Sequence, residues 1–100
     1  MSTELHQFLM RSRLPARLSG QEAAWLLGFQ AGDISILASV RLLKPLGRPA
    51  KNGPKYFATA AVERLAEDVA WLDRATEAVR AYWERKNRRR GNLGPTEVDG

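Results

Sequence analysis

The chain has 100 residues, 44% of them hydrophobic, which predicts one domain with a single modest core. No run approaches the roughly eighteen apolar residues of a membrane span, and the N-terminal stretch lacks the apolar segment and cleavage site of a secretory signal. The absence of cysteine excludes disulfides and thiolate metal sites. We therefore expect a cytoplasmic bacterial protein that does not associate with a membrane.

The net charge of +5 is unevenly distributed along the chain. Residues 41–55 contain basic side chains and no acidic one. A stretch of one sign attracts polyanions, and it favours nucleic acid over a membrane surface because no amphipathic membrane-type helix carries it. The alternative interpretation is a solvated loop that is basic for solubility. The basic residues of the stretch are Arg41, Lys44, Arg48, Lys51 and Lys55.

The first clear helix start is a capping box formed by Ser19 and Glu22. Residues 1–17, which precede it, are predicted to form an N-terminal arm or a short helix. The helix runs through EAAWLL and ends at Gly28, because glycine adopts the left-handed C-terminal conformation without steric cost. A helix of about two turns is too short to be stable alone, so tertiary packing must hold it.

A second short helix is predicted to begin at Asp33, whose side chain would act as its N-cap. It continues through ISILASV for about two turns. Phe29 lies in the glycine-containing turn between the two helices. The pattern predicts a helix-turn-helix unit in which each helix buries the apolar face of the other.

The region after the second helix is predicted to be extended, because Lys44 precedes a proline. The segments LLKPLG and PKYFA flank the loop RPAKNGP, which is rich in proline, glycine and asparagine. This arrangement predicts a β-hairpin with a long basic tip.

The last element is predicted to begin with Thr59 as its cap, and it contains no glycine or proline before Gly91. Apolar positions recur from Val62 to Trp83 with the spacing of a heptad pattern. An unbroken helix over residues 60–87 would be about 42 Å long, whereas a compact domain of this size has a radius of gyration of about 13 Å. Either the helix breaks near AEDVA, or its distal half projects and pairs with a second copy.

The apolar stripe of this element has two interpretations. It belongs to the core of the chain itself, or it forms an interface with a partner, which we favour beyond Thr76. The large side chains of Trp71, Tyr82 and Trp83 would suit such an interface. Residues 89–100 are polar and glycine-rich and are predicted to be disordered. The candidate dimer or partner interface comprises Val69, Leu72, Thr76, Val79 and Trp83.

Recognisable catalytic and cofactor motifs are missing from the sequence. The one histidine, His6, stands without a cysteine or a suitably spaced pair of carboxylates. The segment GRPAKNG is too proline-rich for a phosphate-binding loop, and Ser19, Ser35 and Ser39 lack an evident base partner. We therefore expect no enzymatic activity, no metal and no cofactor.

The order of these elements resembles the winged helix-turn-helix of the MerR and phage-excisionase superfamily. The segments SGQEAAWLLGF, DISILASV, KPLG and KYFATAAVERLAED carry the resemblance, over residues 18–68. The resemblance implies a winged helix-turn-helix domain at residues 18–68. Together with the apolar stripe, it predicts a mainly α fold with a small β-hairpin, in which this domain is followed by a long or broken amphipathic helix at residues 69–88 that packs on the domain or dimerises. It also implies that the second helix enters the major groove while the wing contacts the backbone of DNA.

The resemblance further implies a set of residues that contact DNA. The second helix begins with Gly32-Asp33-Ile34 where the family usually has long polar donors, so specificity is expected to rest on the wing, on DNA shape or on few base contacts. The implied contacts are Gln30, Ser35 and Ser39 on the groove-facing side of the turn and second helix, Arg41, Lys44, Arg48, Lys51, Asn52 and Lys55 on phosphates, and Tyr56 at the base of the wing.

The expected partner is double-stranded DNA, bound by a homodimer that pairs through the C-terminal helix. A small-molecule effector is not expected, since the chain lacks the cysteines with which metal-sensing MerR relatives bind their effectors. The competing hypothesis is a protein-interaction module that uses the fold as a scaffold and docks its C-terminal helix onto another protein. The charge would also suit RNA, but the chain has few aromatic residues for base stacking.

Overall fold

The computed structural model describes residues 3–10 and 13–91. These residues form a mainly helical fold with a small antiparallel sheet of two strands, which confirms the coarse fold prediction. The helices are α1 (Thr3–Leu9), α2 (Gly20–Leu27), α3 (Ala31–Ser39), α4 (Thr59–Ala66) and α5 (Val69–Gly91), and the strands are β1 (Arg17–Ser19) and β2 (Tyr56–Ala58).

Both ends of α2 have the predicted caps. The Ser19 hydroxyl accepts a hydrogen bond from the Glu22 amide at 3.2 Å, and the Glu22 carboxylate accepts one from the Ser19 amide at 2.9 Å. Gly28 ends the helix in the left-handed conformation, with φ of 82°, and its amide donates to the Ala24 carbonyl. These caps satisfy backbone groups that the helix leaves unpaired, and the buried side chains of Ala23, Ala24 and Leu27 hold this helix of 8 residues to the core.

Replacing Gly28 with alanine is expected to destabilise the fold by about 1 kcal/mol, because a Cβ is strained at this φ. The melting temperature should fall by about 4–8 °C, measured by circular dichroism. Gly32→Ala is the matched control, since an added Cβ meets no atom within 4 Å at either glycine and Gly32 has no positive φ. It should stabilise the fold by about 0.4 kcal/mol or more. Equal melting temperatures for the two variants would contradict a strained cap.

The start of α3 differs from the prediction. The helix begins at Ala31 with Gln30 as its N-cap, so the prediction that Asp33 is the N-cap is wrong. Asp33 is the third helical residue, and its Oδ2 accepts a hydrogen bond from the Gln30 amide at 3.1 Å. The Asp33 side chain thus pairs with the free backbone amide of the N-cap residue from within the first turn, as the acidic member of a capping box does. The turn between the helices shortens to residues 28–30.

The predicted hairpin does not form as expected. β2 forms, but its strand partner is β1, with Arg17 opposite Ala58 and Ser19 opposite Tyr56. LLKPLG is not a strand, and it is linked to β2 by the Leu46 amide, which donates to the Tyr56 carbonyl at 2.8 Å. Prolines in this region remove amide donors that a longer ladder would need. Residues 46–55 therefore form a loop, which we call the basic loop.

Thr59 is not the cap of α4, as predicted, but its first helical residue, and Ala58 is the N-cap. The Thr59 side chain is buried, and its hydroxyl donates a hydrogen bond to the Pro15 carbonyl. Its amide donates to the Ala16 carbonyl at 3.0 Å. The start of α4 is therefore tied to the segment that precedes β1.

The long C-terminal helix breaks near AEDVA, which is one of the two alternatives that the sequence left open. α4 ends at Ala66 and α5 begins at Val69. The Asp68 carboxylate accepts a hydrogen bond from the Trp71 amide at 3.0 Å, as an N-cap does. α5 continues to Gly91, so the prediction of a disordered tail is wrong for residues 89–91, and residues 92–100 lie outside the described part of the chain.

The core lies where α2 packs against α3 and α4, with α5 along α3 and α4. The largest fully buried side chains are those of Leu18, Leu37, Phe57 and Val62. Within the predicted N-terminal arm, α1 contributes the buried Phe8 to the same cluster. The two short strands and all five helices of the described residues therefore share one hydrophobic core.

The buried face of α5 is offset from the predicted stripe. Trp71 and Ala75 are buried, and the Trp71 indole N–H donates to the Leu42 carbonyl at 2.8 Å. Because the chain breaks before α5, the side chains of α5 do not continue the angular positions of those in α4. The apolar stripe predicted from Val62 to Trp83 therefore does not stay on one buried face. Of the predicted interface residues, Leu72 and Val79 pack on the core of the chain itself. Val69, Thr76 and Trp83 are more exposed.

Candidate nucleic-acid interface

α3 exposes one narrow face between two packed sides. The side chains that face the core, including Ile34 and Leu37, are buried. Ala31, Ser35 and Ser39 are exposed, and their spacing of four residues places them on the same face of the helix. All three are small and uncharged, so another surface can approach the backbone of α3 closely.

A groove with a volume of about 240 Å³ separates this exposed face from the end of the basic loop. Ala31 and Ser35 border it on the α3 side, and Lys55 and Tyr56 border it on the side of the loop and β2. The fold therefore brings Ser35, Lys55 and Tyr56, three of the predicted DNA contacts, into one site.

The other predicted contacts on α3 are spread along the helix. Gln30 is exposed at its start. Ser39 is exposed at its end, where its hydroxyl donates to the Ile36 carbonyl at 2.7 Å. Arg41 follows the helix with a left-handed φ of 66° and is also exposed. Because about 13 Å of helix separates Gln30 from Ser39, these residues do not join the groove but extend the surface along α3.

The basic loop carries positive charge without acidic partners. The side chains of Arg48, Lys51 and Asn52 are exposed, as is that of Lys44 just before the loop. Lys55 is half-buried, and its Nζ donates to the Lys51 carbonyl at 3.4 Å. In the described part of the chain, the ion pairs lie on α5 and involve none of these residues. One of these basic residues, Lys55, borders the groove, and the others extend the positive charge along the basic loop and the segment before it.

Arg17 lies next to Tyr56 of the candidate site, and the sequence interpretation did not include it. Its guanidinium carbon lies 4.0 Å from the centroid of the Tyr56 ring, as in a cation–π contact. Exposed and buried side chains alternate in β1, where the exposed Arg17 precedes the buried Leu18. This alternation is typical of a half-buried strand and is the local sequence signal for β1. The pairing of β1 with β2, which places Arg17 at the base of the basic loop, has no local signal.

Comparisons of the chain with protein-family models, curated proteins and solved structures gave no match. None of the helices within residues 3–10 and 13–91 has the length and apolar character needed to cross a membrane. Over the same residues, no group of three or more His, Cys, Asp or Glu side chains could hold a metal ion. The function is therefore inferred from the groove beside α3, the positive charge of the basic loop and the sequence pattern.

Proposed function

We propose that the protein binds double-stranded DNA, with the exposed face of α3 against the major groove and the basic loop along the sugar-phosphate backbone. The observation that carries this proposal is the groove between α3 and the loop, where an uncharged helix face lies opposite Lys55 and the basic loop adds further positive charge that forms no ion pair within the described residues. The resemblance of residues 18–68 to the winged helix-turn-helix of MerR and excisionase proteins supports the same role. The protein would act as a small transcriptional regulator or an excisionase-like architectural factor.

The chemistry of the two surfaces assigns them different tasks in this proposal. Lysine and arginine side chains of the basic loop neutralise phosphates and release counterions, which supplies affinity without reading sequence. Ser35 and Ser39 are short and lack the paired donors with which arginine, asparagine or glutamine read a base. Apart from Gln30 at the N-cap, we therefore expect weak sequence discrimination by α3 and a large contribution from phosphate contacts.

The test is a titration of a labelled duplex of random sequence with the protein, followed by fluorescence anisotropy at several salt concentrations. Four or five phosphate contacts by the basic residues between Arg41 and Lys55 contribute a slope of about −3.6 to −4.5 to the plot of log K against log salt concentration. A labelled single-stranded RNA of the same length is the control. Absence of duplex binding at low salt, or tighter binding of the RNA, would contradict the proposal.

A further inference from the structure

The C-terminal end of α5 extends past the rest of the domain. The Trp83 indole N–H donates a hydrogen bond to Asp33 Oδ1 at 3.1 Å, in the first turn of α3. Beyond this contact, residues 84–91 continue the helix for about 12 Å at 1.5 Å per residue. We call residues 84–91 the overhang. The overhang therefore begins beside the N-terminal end of α3.

Two hydrogen bonds show that α5 runs antiparallel to α3. Trp71, near the start of α5, is bonded to the Leu42 carbonyl just beyond the end of α3, whereas Trp83 is bonded to Asp33 near its start. Asp33 lies on the side of α3 that faces α5, while Ser35 borders the groove toward the basic loop. The exposed face of α3 is thus flanked by the basic loop on one side and by α5 on the other.

The face of α5 that packs against the domain becomes basic in the overhang. Trp71, Ala75 and Tyr82 follow one another at spacings of four and seven residues, which keeps them on one side of the helix. The same spacing continues into three exposed basic residues, and these line a groove of about 260 Å³ together with Tyr82. We call them the basic overhang face: Arg85, Lys86 and Arg89.

Aromatic rings at the base of the overhang orient part of this face. Lys86 Nζ lies 5.8 Å from the centroid of the Tyr82 ring and 5.5 Å from that of the Trp83 ring. These distances are within the range of cation–π contacts. Because Trp83 is itself bonded to Asp33, the charge of Lys86 is held on the side of α5 that faces α3.

The other side of α5 has its positive charge neutralised. Arg80 forms ion pairs with Glu77 and Glu84, and Arg88 lies 3.7 Å from Glu84. The hydrogen bond from Arg80, and then its charge, lower the pKa of Glu77, so this carboxylate stays ionised at neutral pH. Within the described residues the basic overhang face has no such acidic partners. Over residues 84–89, the unpaired positive charge of α5 is therefore concentrated on one face.

We infer that the basic overhang face contacts the phosphate backbone of the bound duplex beyond the N-terminal end of α3, an inference that rests on the proposed DNA binding. The duplex is the fitting partner because the face is positive, forms no ion pair within the described residues, and begins beside the N-terminal end of α3, which carries the proposed DNA surface. Recognition of DNA then involves two basic borders, the basic loop and the overhang, on either side of α3. Three added phosphate contacts raise the total slope of log K against log salt concentration to about −6 to −7.

The test is the triple variant Arg85→Gln, Lys86→Gln, Arg89→Gln, since glutamine removes the charges and retains good helix propensity. Its slope should be shallower by about 2.7 than that of the unaltered chain, measured by anisotropy on the same duplex. The matched control is Arg64→Gln, Arg80→Gln, Arg88→Gln, which removes the same charge from exposed positions of α4 and α5 outside this face. The control should leave the slope nearly unchanged.

The outcomes separate this inference from the proposed function. A reduction of the slope in the overhang variant alone would support the phosphate contact. Equal slopes for the two triple variants would overturn the inference. If substitution of Lys51 and Lys55 still weakened duplex binding in that case, the proposed DNA binding at the groove would stand. Absence of duplex binding by the unaltered chain would overturn both.

Discussion

Replacing Trp71 with alanine is expected to lower the free energy of unfolding by about 3–5 kcal/mol, the largest loss among the substitutions considered. The indole is 3% exposed and lies in the core, and its N–H donates to the Leu42 carbonyl at 2.8 Å. Alanine would leave a cavity and remove a buried hydrogen bond. Small domains have a free energy of unfolding of only about 5–15 kcal/mol, so much of the stability would be lost. Urea unfolding followed by circular dichroism measures the change.

Two further variants separate the causes of this loss. Trp71→Phe keeps an aromatic ring and removes the hydrogen bond, so its loss should be smaller than that of alanine. Val69→Ala changes a residue of the same helix that is 78% exposed, and it should alter stability by less than about 0.5 kcal/mol. If Trp71→Ala cost no more than Val69→Ala, the packing of α5 on its own domain would be contradicted.

Replacing both Lys51 and Lys55 with glutamate is expected to weaken duplex binding strongly, provided that the basic loop contacts phosphates. Loss of two phosphate contacts should make the slope of log K against log salt concentration shallower by about 1.8, and the added carboxylates would also repel the backbone. Lys51 is exposed and Lys55 is half-buried with a long contact of 3.4 Å to the Lys51 carbonyl, so the fold should be retained. Anisotropy measures the binding, and circular dichroism checks the fold.

The matched control is the double variant Arg64→Glu, Arg74→Glu, which produces the same change in net charge. Arg64 lies in the last turn of α4, Arg74 lies on α5, and both are exposed and away from the groove. The control should bind the duplex with a slope close to that of the unaltered chain. An equal loss in both double variants would mean that net charge alone governs binding, which would contradict a specific role for the basic loop.

The candidate site was only partly predictable from the sequence. The basic stretch was visible because a run of one charge is a property of composition, and Ser35 was placed on the exposed face of its helix. Arg17 was missed because its place beside Tyr56 depends on strand pairing between distant segments. The overhang was assigned in part to a disordered tail, since its charge is like that of a solvated segment.

The sequence by itself determined the features that depend on residues within one helical turn. Ser19 and Glu22 form the predicted capping box, and Gly28 ends α2. The break near AEDVA was one of two alternatives, and the cap at Asp68 selects it. These signals are local because a cap or a left-handed residue acts on backbone groups only three or four positions away.

Tertiary structure alone decided how the elements meet. Packing placed α5 along α3, so that Trp83 reaches Asp33, and it turned the predicted partner stripe partly toward the core. β2 paired with β1 instead of with LLKPLG, which left the basic loop open beside α3. The physical reason is that helix phase and strand pairing are chosen by the total burial and hydrogen bonding of distant segments, which the spacing of residues within one segment does not encode.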